Sequence, residues 1–223
     1  MNIAFIPVRG GSKSIPLKNI KEICGKPLVY WTAKAANDAS CINKVIIATD
    51  NQEIKNIVLS FNLPKVEIYN RLSENAQDTS STESVMLEYI NKANLNPNDK
   101  FFLIQATSPM LKSKDIDEMY DKYVNEEADS AFSCVLTKRF FWTKEGKPVN
   151  YDYKNRPRRQ DFDGYLLENG ACYINSVKNI LKEKNRICGK MSLYEMPEYT
   201  SYEIDEPDDF IIIEELMKKH NYL

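Results

Sequence analysis

Arg9, Lys13 and Lys18 lie close together near the start of the chain, interleaved with Gly10, Gly11, Ser12 and Asn19. Three cations set among two glycines and hydrogen-bonding side chains suit a loop that wraps a polyphosphate. Glycine admits close backbone approach, and successive amides with point charges hold anionic oxygens. The loop is not a Walker A loop, which needs glycine directly before its lysine; here Ser12 precedes Lys13. Nor does it run straight into a helix, because Pro16 biases Ile15 toward extended backbone. The G-x-G-x-x-G pattern is absent as well.

The remaining composition narrows the chemistry. The only histidine is His220, and Cys24, Cys41, Cys134, Cys172 and Cys188 are widely spaced with no C-x-x-C pair. Ser-His and Cys-His catalysis, multi-histidine metal sites and a disulfide framework are therefore not expected. Carboxylates, lysines, arginines, backbone amides and a bound cation are left to do the work. A net charge of −2 over 223 residues gives no electrostatic reason to expect nucleic acid or an anionic membrane as partner. No apolar run is long enough to span a bilayer, and no leader pattern precedes the first apolar run, so a cytoplasmic location is expected.

The elements that must position these groups alternate strand and helix. Residues 2–8, 44–49, 66–69, 100–105 and 129–136 read as strands. Residues 27–38, a stretch after Asp50-Asn51 to about Phe61, 82–92, 113–125 (Ser113 as cap) and a stretch from Pro207 read as helices. The nearly all-apolar Lys44–Thr49 is the kind of strand buried in a parallel sheet. The expectation is a single α/β domain over 1–223, a mostly parallel sheet with helices on both faces. Ligands of such sheets collect at the strands' carboxyl ends, where Arg9-Gly10-Gly11, Thr49-Asp50 and Gln105-Ala106-Thr107-Ser108-Pro109 fall. Residues 137–165 break the alternation with Phe140-Phe141-Trp142 and Arg156-Pro157-Arg158-Arg159-Gln160-Asp161. They read as a small dimerisation and substrate-binding arm.

Four ordered blocks resemble the CMP-N-acetylneuraminate synthetases, or acylneuraminate cytidylyltransferases. They are the R-G-G-S-K-x-I-P-x-K-N loop from Arg9; L-I-Q-A-T-S-P from Leu103; R-P-R-R-Q-D from Arg156 with Glu168-Asn169-Gly170; and E-I-D-E-P-D-D-F from Glu203. The resemblance implies a Rossmann-like nucleotidyltransferase fold. It further implies a reaction in which CTP activates a nine-carbon 2-keto sugar acid, giving the CMP-sugar and pyrophosphate. Arg9, Lys18 and Asp205 would be catalytic. Arg9, Gly10, Gly11, Ser12, Lys13 and Asn19 would hold phosphates, and Arg71, Asp78, Thr79 and Ser81 the base and ribose. Gln105, Arg158, Arg159, Gln160, Glu168 and Asn169 would bind the sugar acid. Asp205 and Glu203 would carry Mg²⁺, or Mn²⁺; alternate residues of an extended segment face one side, and carboxylates suit that ion. A homodimer is implied as well.

Glu203 stands where the family often has Asp, Ser14 where many relatives have Gly, and Leu167-Glu168 where some bacterial members have Arg-Pro. The sugar therefore stays open among N-acetylneuraminate, legionaminic acid, pseudaminic acid and other 2-keto sugar acids. A nucleotide-sugar-dependent glycosyltransferase is the alternative; Ala48-Thr49-Asp50-Asn51 lacks the Asp-x-Asp pair such enzymes usually carry after a central strand.

Overall fold

The computed structural model describes residues 1–11, 14–77 and 79–222. Ser12, Lys13 and Asp78, each expected at the nucleotide site, lie outside the described residues. Seven strands form one sheet: β1 (Asn2–Pro7), β4 (Lys44–Thr49), β5 (Val66–Asn70), β6 (Lys100–Ile104), β7 (Ser130–Thr137), β8 (Tyr165–Ser176) and β9 (Met191–Met196). Their order is β5-β4-β1-β6-β8-β7-β9. Two further strands, β2 (Glu22–Ile23) and β3 (Lys26–Pro27), make a short hairpin.

The half carrying the opening loop is parallel: β1 pairs with β4 and β6, and β4 with β5. The sheet as a whole is mixed. β8 runs antiparallel to both β6 and β7, and β9 parallel to β7. The long β8 also takes in residues 165–171, the first of which were read as the end of the arm. Its pairing with β7 slips between Phe132 and Cys134, and Gly170 there has φ +70°. That left-handed residue makes Asn169-Gly170 look like a turn in sequence, although it is an irregularity inside a strand.

Helices α1 (Leu28–Asp38), α2 (Gln52–Leu59) and α4 (Ser113–Asn125) cover one face; α3 (Thr82–Lys92) and α5 (Val177–Glu183) cover the other. Strand alternation sorts the core accordingly. Ala4, Ile6, Val45, Ile47, Phe102 and Ile104 face the first layer, while Ile3, Phe5, Ile46, Phe101 and Leu103 face the second. Phe5 lies 5.3 Å from the Tyr89 ring and 5.2 Å from Phe101, centroid to centroid.

Helix α6 (Pro207–Lys219) packs elsewhere. Its Phe210, Ile213 and Met217 form a third cluster with Ile15, Ile23, Leu28, Met110 and Ile204. It is thereby docked on the segment that follows the opening loop. Helix entry differs from expectation at α4. Ser113 is the first helical residue and Lys112 the cap position, closed by Asp115, whose Oδ2 accepts the Lys112 amide at 2.9 Å. Asn51 caps α2, accepting the amides of Glu53 and Ile54.

Residues 138–164 are largely irregular, with a bridge between Trp142 and Pro148 and two short 3₁₀ turns. Their aromatics pack first on one another: Phe140 stacks on Tyr151 at 4.1 Å, and Arg156 lies 4.6 Å over Phe140. Phe141, Trp142, Val149, Tyr153, Tyr165, Leu166 and Leu167 remain exposed.

Candidate active site

In this sheet the chain runs from β1 outward to β4 and β5, then crosses to β6 on the other flank of β1. The reversal opens a crevice between the carboxyl ends of β1 and β6, the usual ligand position in such sheets. A cavity of about 280 Å³ occupies it, and Arg9, Lys18, Asn19, Arg71, Ser81 and Gln105 all line it. Residues far apart in sequence thus meet where the strand pattern predicts. Ser80, Thr82 and Thr107 also line it and were not singled out from the sequence. Thr107 lay within a quoted block, and Thr82 opens α3.

Each wall has a physical cause. The Gly10 amide donates to Asp50 Oδ1 at 3.0 Å. A Cβ on Gly10 would come within 2.7 Å of Asn51 Nδ2, so the close approach of loop to strand end requires glycine. A Cβ on Gly11 would meet nothing within 4 Å. Asn19 Nδ2 donates to the Arg9 carbonyl at 3.1 Å, pinning the loop from inside. Arg9 Nη1 reaches the Gln77 carbonyl at 3.4 Å.

Lys18 is fixed by two acceptors. Its Nζ donates to the Ile204 carbonyl at 2.7 Å and pairs with Asp205 Oδ1 at 3.0 Å. The Lys18 side chain is 13% exposed and that of Asp205 63%. The acidic segment is held in turn: the Ile204 amide donates to the Thr107 carbonyl at 2.9 Å. Asp209 Oδ2 accepts the amides of Asp205 and Glu206 at 2.9 and 2.7 Å. Asp209 therefore shapes the backbone that presents Asp205.

Gly170 brings two more groups together. A Cβ there would lie 3.2 Å from Glu203 Oε2 and 3.3 Å from Gln105 Nε2, so both side chains converge on its bare Cα. Partial burial and the Asp205 charge push the Glu203 carboxyl up; Lys18 pulls it back and Asp209 adds to the rise. Among the described residues no three acidic, histidine or cysteine side chains form a metal cage. Glu203 and Asp205 nevertheless supply hard oxygen donors in a locally negative setting. That suits a cation which takes one or two protein carboxylates and completes its shell with phosphate oxygens and water.

Arg71 lines the cavity as well and is 9% exposed. Its Nη2 bonds the Asn75 carbonyl, while its buried Nε has no hydrogen-bond partner among the described residues. Burial pulls the guanidinium down from its ordinary value, with Asp50 and Glu88 opposing and Arg9 adding to the fall.

Other expected residues are not brought to this cavity. Arg158 pairs with Asp161 at 2.6 Å and Arg159 with Glu198 at 3.3 Å, both well exposed on the arm beside Gln160. The Glu168 carboxylate accepts from the Tyr173 hydroxyl. Thr79 is exposed and outside the lining, and Ser81 doubles as the cap of α3, accepting the Ser84 amide. Asn169 is interior: its Oδ1 accepts from Ser133 Oγ at 2.6 Å and its Nδ2 faces Thr200 and Met196 Sδ. It ties β8 to its neighbours, and only 4% of its surface is open to a ligand. Beside the arm lies a second cavity of about 470 Å³, lined by Val135, Phe141, Leu167 and Tyr202 among others.

A cationic loop after β1, a polar strand end after β6 and an acidic segment across the crevice define an α/β protein of the Rossmann-like nucleotidyltransferase class. The chain belongs to the cytidylyltransferase family, whose model matches residues 3–223. The N-acylneuraminate cytidylyltransferase of Oncorhynchus mykiss is 38% identical over 98% of this chain and 51% of its own length. That of Streptococcus agalactiae is 28% identical over 94% of this chain and 51% of its own length. This chain therefore spans about half the length of these curated relatives. The pseudaminic acid cytidylyltransferase of Campylobacter jejuni is 25% identical, over 93% of this chain and 92% of its own. Among solved structures, a CMP:2-keto-3-deoxy-manno-octonic acid synthetase complexed with CTP shares the fold. Its TM-score is 0.72 at 17% identity, covering 98% of this chain and 99% of that one. Among the described residues, no helix is long and apolar enough to cross a membrane.

Proposed function

We propose that this chain joins CTP to a 2-keto sugar acid of the sialic or related nonulosonic class, releasing pyrophosphate. The observation that carries the reading is the convergence of Arg9, Lys18, Arg71 and Gln105 on one crevice cavity. Two anionic substrates must meet there, and fixed cations offset their repulsion without reorganising during reaction. The anomeric hydroxyl oxygen forms a bond to the α-phosphorus, the bond from that phosphorus to pyrophosphate breaks, and the hydroxyl proton is lost. Arg9 and Lys18 stabilise the charge that gathers on the leaving group. Lys18 suits this because its Nζ is already aimed by Ile204 and Asp205. Gln105, at the far wall, orients the sugar acid. Glu203 and Asp205 would hold Mg²⁺ or Mn²⁺, which supplies further charge neutralisation on phosphate oxygens.

The reading includes a homodimer. Arg158, Arg159 and Gln160 stand on an arm with exposed aromatics, away from their own cavity. In the dimer they would serve a neighbour's sugar, where arginine can bond a carboxylate bidentately. A cytoplasmic location goes with it.

The test is pyrophosphate release from CTP and Mg²⁺ with N-acetylneuraminate, legionaminic acid and pseudaminic acid in parallel. Release with one acid well above the others supports the reaction and identifies the substrate. A folded protein that binds CTP yet is silent with all three leaves the nucleotide half standing and removes these sugars. Absence of CTP binding removes the reading.

A further inference from the structure

Glu88 sits on α3 outside the cavity lining. Three donors converge on its carboxylate, one from β5 and two from the turn after it: the Tyr69 hydroxyl at 2.7 Å and the Leu72 amide at 2.8 Å on Oε1, and Asn75 Nδ2 at 2.6 Å on Oε2. Both oxygens are committed. The turn they clasp carries Arg71. Asn75 is the joint: its amide side chain bonds Glu88, while its carbonyl takes the Arg71 Nη2. At the other end the Arg71 amide donates to the Thr49 carbonyl at 3.2 Å. Arg71 is thus held by its backbone at the end of β4 and by its guanidinium at a turn that has no side-chain cap of its own. Arg71 also lines the cavity, and its buried Nε has no hydrogen-bond partner among the described residues.

We propose that Glu88 is a positioning residue for nucleotide binding. It fixes the Asn75 carbonyl, which fixes the Arg71 guanidinium at the nucleotide end of the cavity. This rests on the reading above that Arg71 engages CTP. Glu88 itself touches no substrate. A charged group that served only to stabilise the fold would leave ligand affinity alone, because the same bonds exist with the cavity empty or filled. A positioning group loses its effect once the group it positions is gone.

The experiment is a double-mutant cycle read by calorimetric CTP binding and by steady-state kinetics, on wild type, Glu88→Ala, Glu88→Gln, Arg71→Ala and the Glu88→Ala/Arg71→Ala pair. Glu88→Ala should weaken CTP binding and raise KM for CTP by about tenfold, the change expected for one displaced charged contact. The turnover at saturating CTP should stay within about twofold of wild type, since the loss is one of binding and not of the transition state. In the Arg71→Ala background the second substitution should add nothing to the loss. If Glu88→Ala does not fold, Glu88→Gln, which keeps the side-chain volume, carries the same comparison. Glu88 variants that bind CTP as wild type does, with only a lowered melting temperature, overturn the inference. So do equal losses with and without Arg71. Wild type that fails to bind CTP overturns the nucleotide reading itself, so the two failures are separable.

Discussion

Lys18 shows how a single residue can be tuned by its partners rather than by its place in a motif. One of its donors holds a carbonyl and another a carboxylate, so the ammonium is oriented before any phosphate arrives. Lys18→Ala should therefore lower kcat by about 10²-fold or more, the scale seen when one preorganised charge donor is lost. Its melting temperature should drop by only about 2–4 °C, as for a contact worth roughly 1 kcal/mol in a chain of this size. Pyrophosphate release and a thermal melt check the two numbers, and equal losses would make Lys18 structural. Asn169 is the opposite case. Its amide is buried against Ser133, Thr200 and Met196. Asn169→Ala should cost about 1–3 kcal/mol, the penalty for stranding buried polar partners. A urea melt measures it, and KM for the sugar acid should not move in the folded fraction. Asn169 shares a motif with Gly170, and nothing in the sequence separates the member facing inward from the one that Gln105 and Glu203 approach.

At the scale of elements, the helices are tied to their neighbours by carboxylates that take backbone amides. Asp117 on α4 accepts the amides of Ser40 and Cys41 at 3.0 and 2.8 Å, just past the end of α1. Burial raises its carboxyl, but the bonds from Cys41 and Ser40 outweigh that and leave it below the ordinary carboxylate value. The folded form therefore holds the proton less tightly than the unfolded form. The stabilisation is present in full above the ordinary value near 3.8 and is lost as pH falls through the lower folded value. Asp117→Asn should cost about 1–2 kcal/mol near neutral pH, and the gap from wild type should close below about pH 4. Denaturant melts at pH 7, 5 and 3 follow it; a gap that widens on acidification would sink the assignment. Such ties explain what could be read in advance. Arg9, Lys18 and Gln105 were legible because strand ends in a parallel sheet face one crevice. Glu88 and Asn75 were not, because their partners lie in other elements and no spacing spells them out; Asp50 was read at its strand end but not as the acceptor of the Gly10 amide. Strand β9 and the short α5 escaped for a different reason: a six-residue edge strand without strict alternation of burial and a seven-residue helix carry too little periodicity.

At the scale of the whole molecule, the parallel half of the sheet positions the cavity and the antiparallel half carries the arm. Tyr165, Leu166 and Leu167 at the start of β8 and Phe141 and Trp142 on the arm are exposed, and Phe141 and Leu167 line the larger cavity. Contiguous apolar surface of this kind marks an interaction site. The proposed dimer should give a solution mass twice that of the chain by light scattering. Leu167→Glu, placing a charge on that surface, should shift the mass to that of one chain. It should also depress turnover if the arm of one copy serves the other's sugar site. A monomeric wild type at working concentration would rule the dimer out.

The contact between Lys18 and Asp205 spans 187 positions of sequence. On the ribosome, the loop is made 187 positions before its partner. Until α6 follows and docks through Phe210, Ile213 and Met217, the cation has nothing to aim it. A nascent or truncated chain can thus lay down the sheet and most of the crevice while lacking the contact that orients Lys18. Appearance of activity during synthesis would then follow the emergence of the segment around Asp205 and α6, and a chain stopped at residue 202 should remain silent however well its sheet has formed.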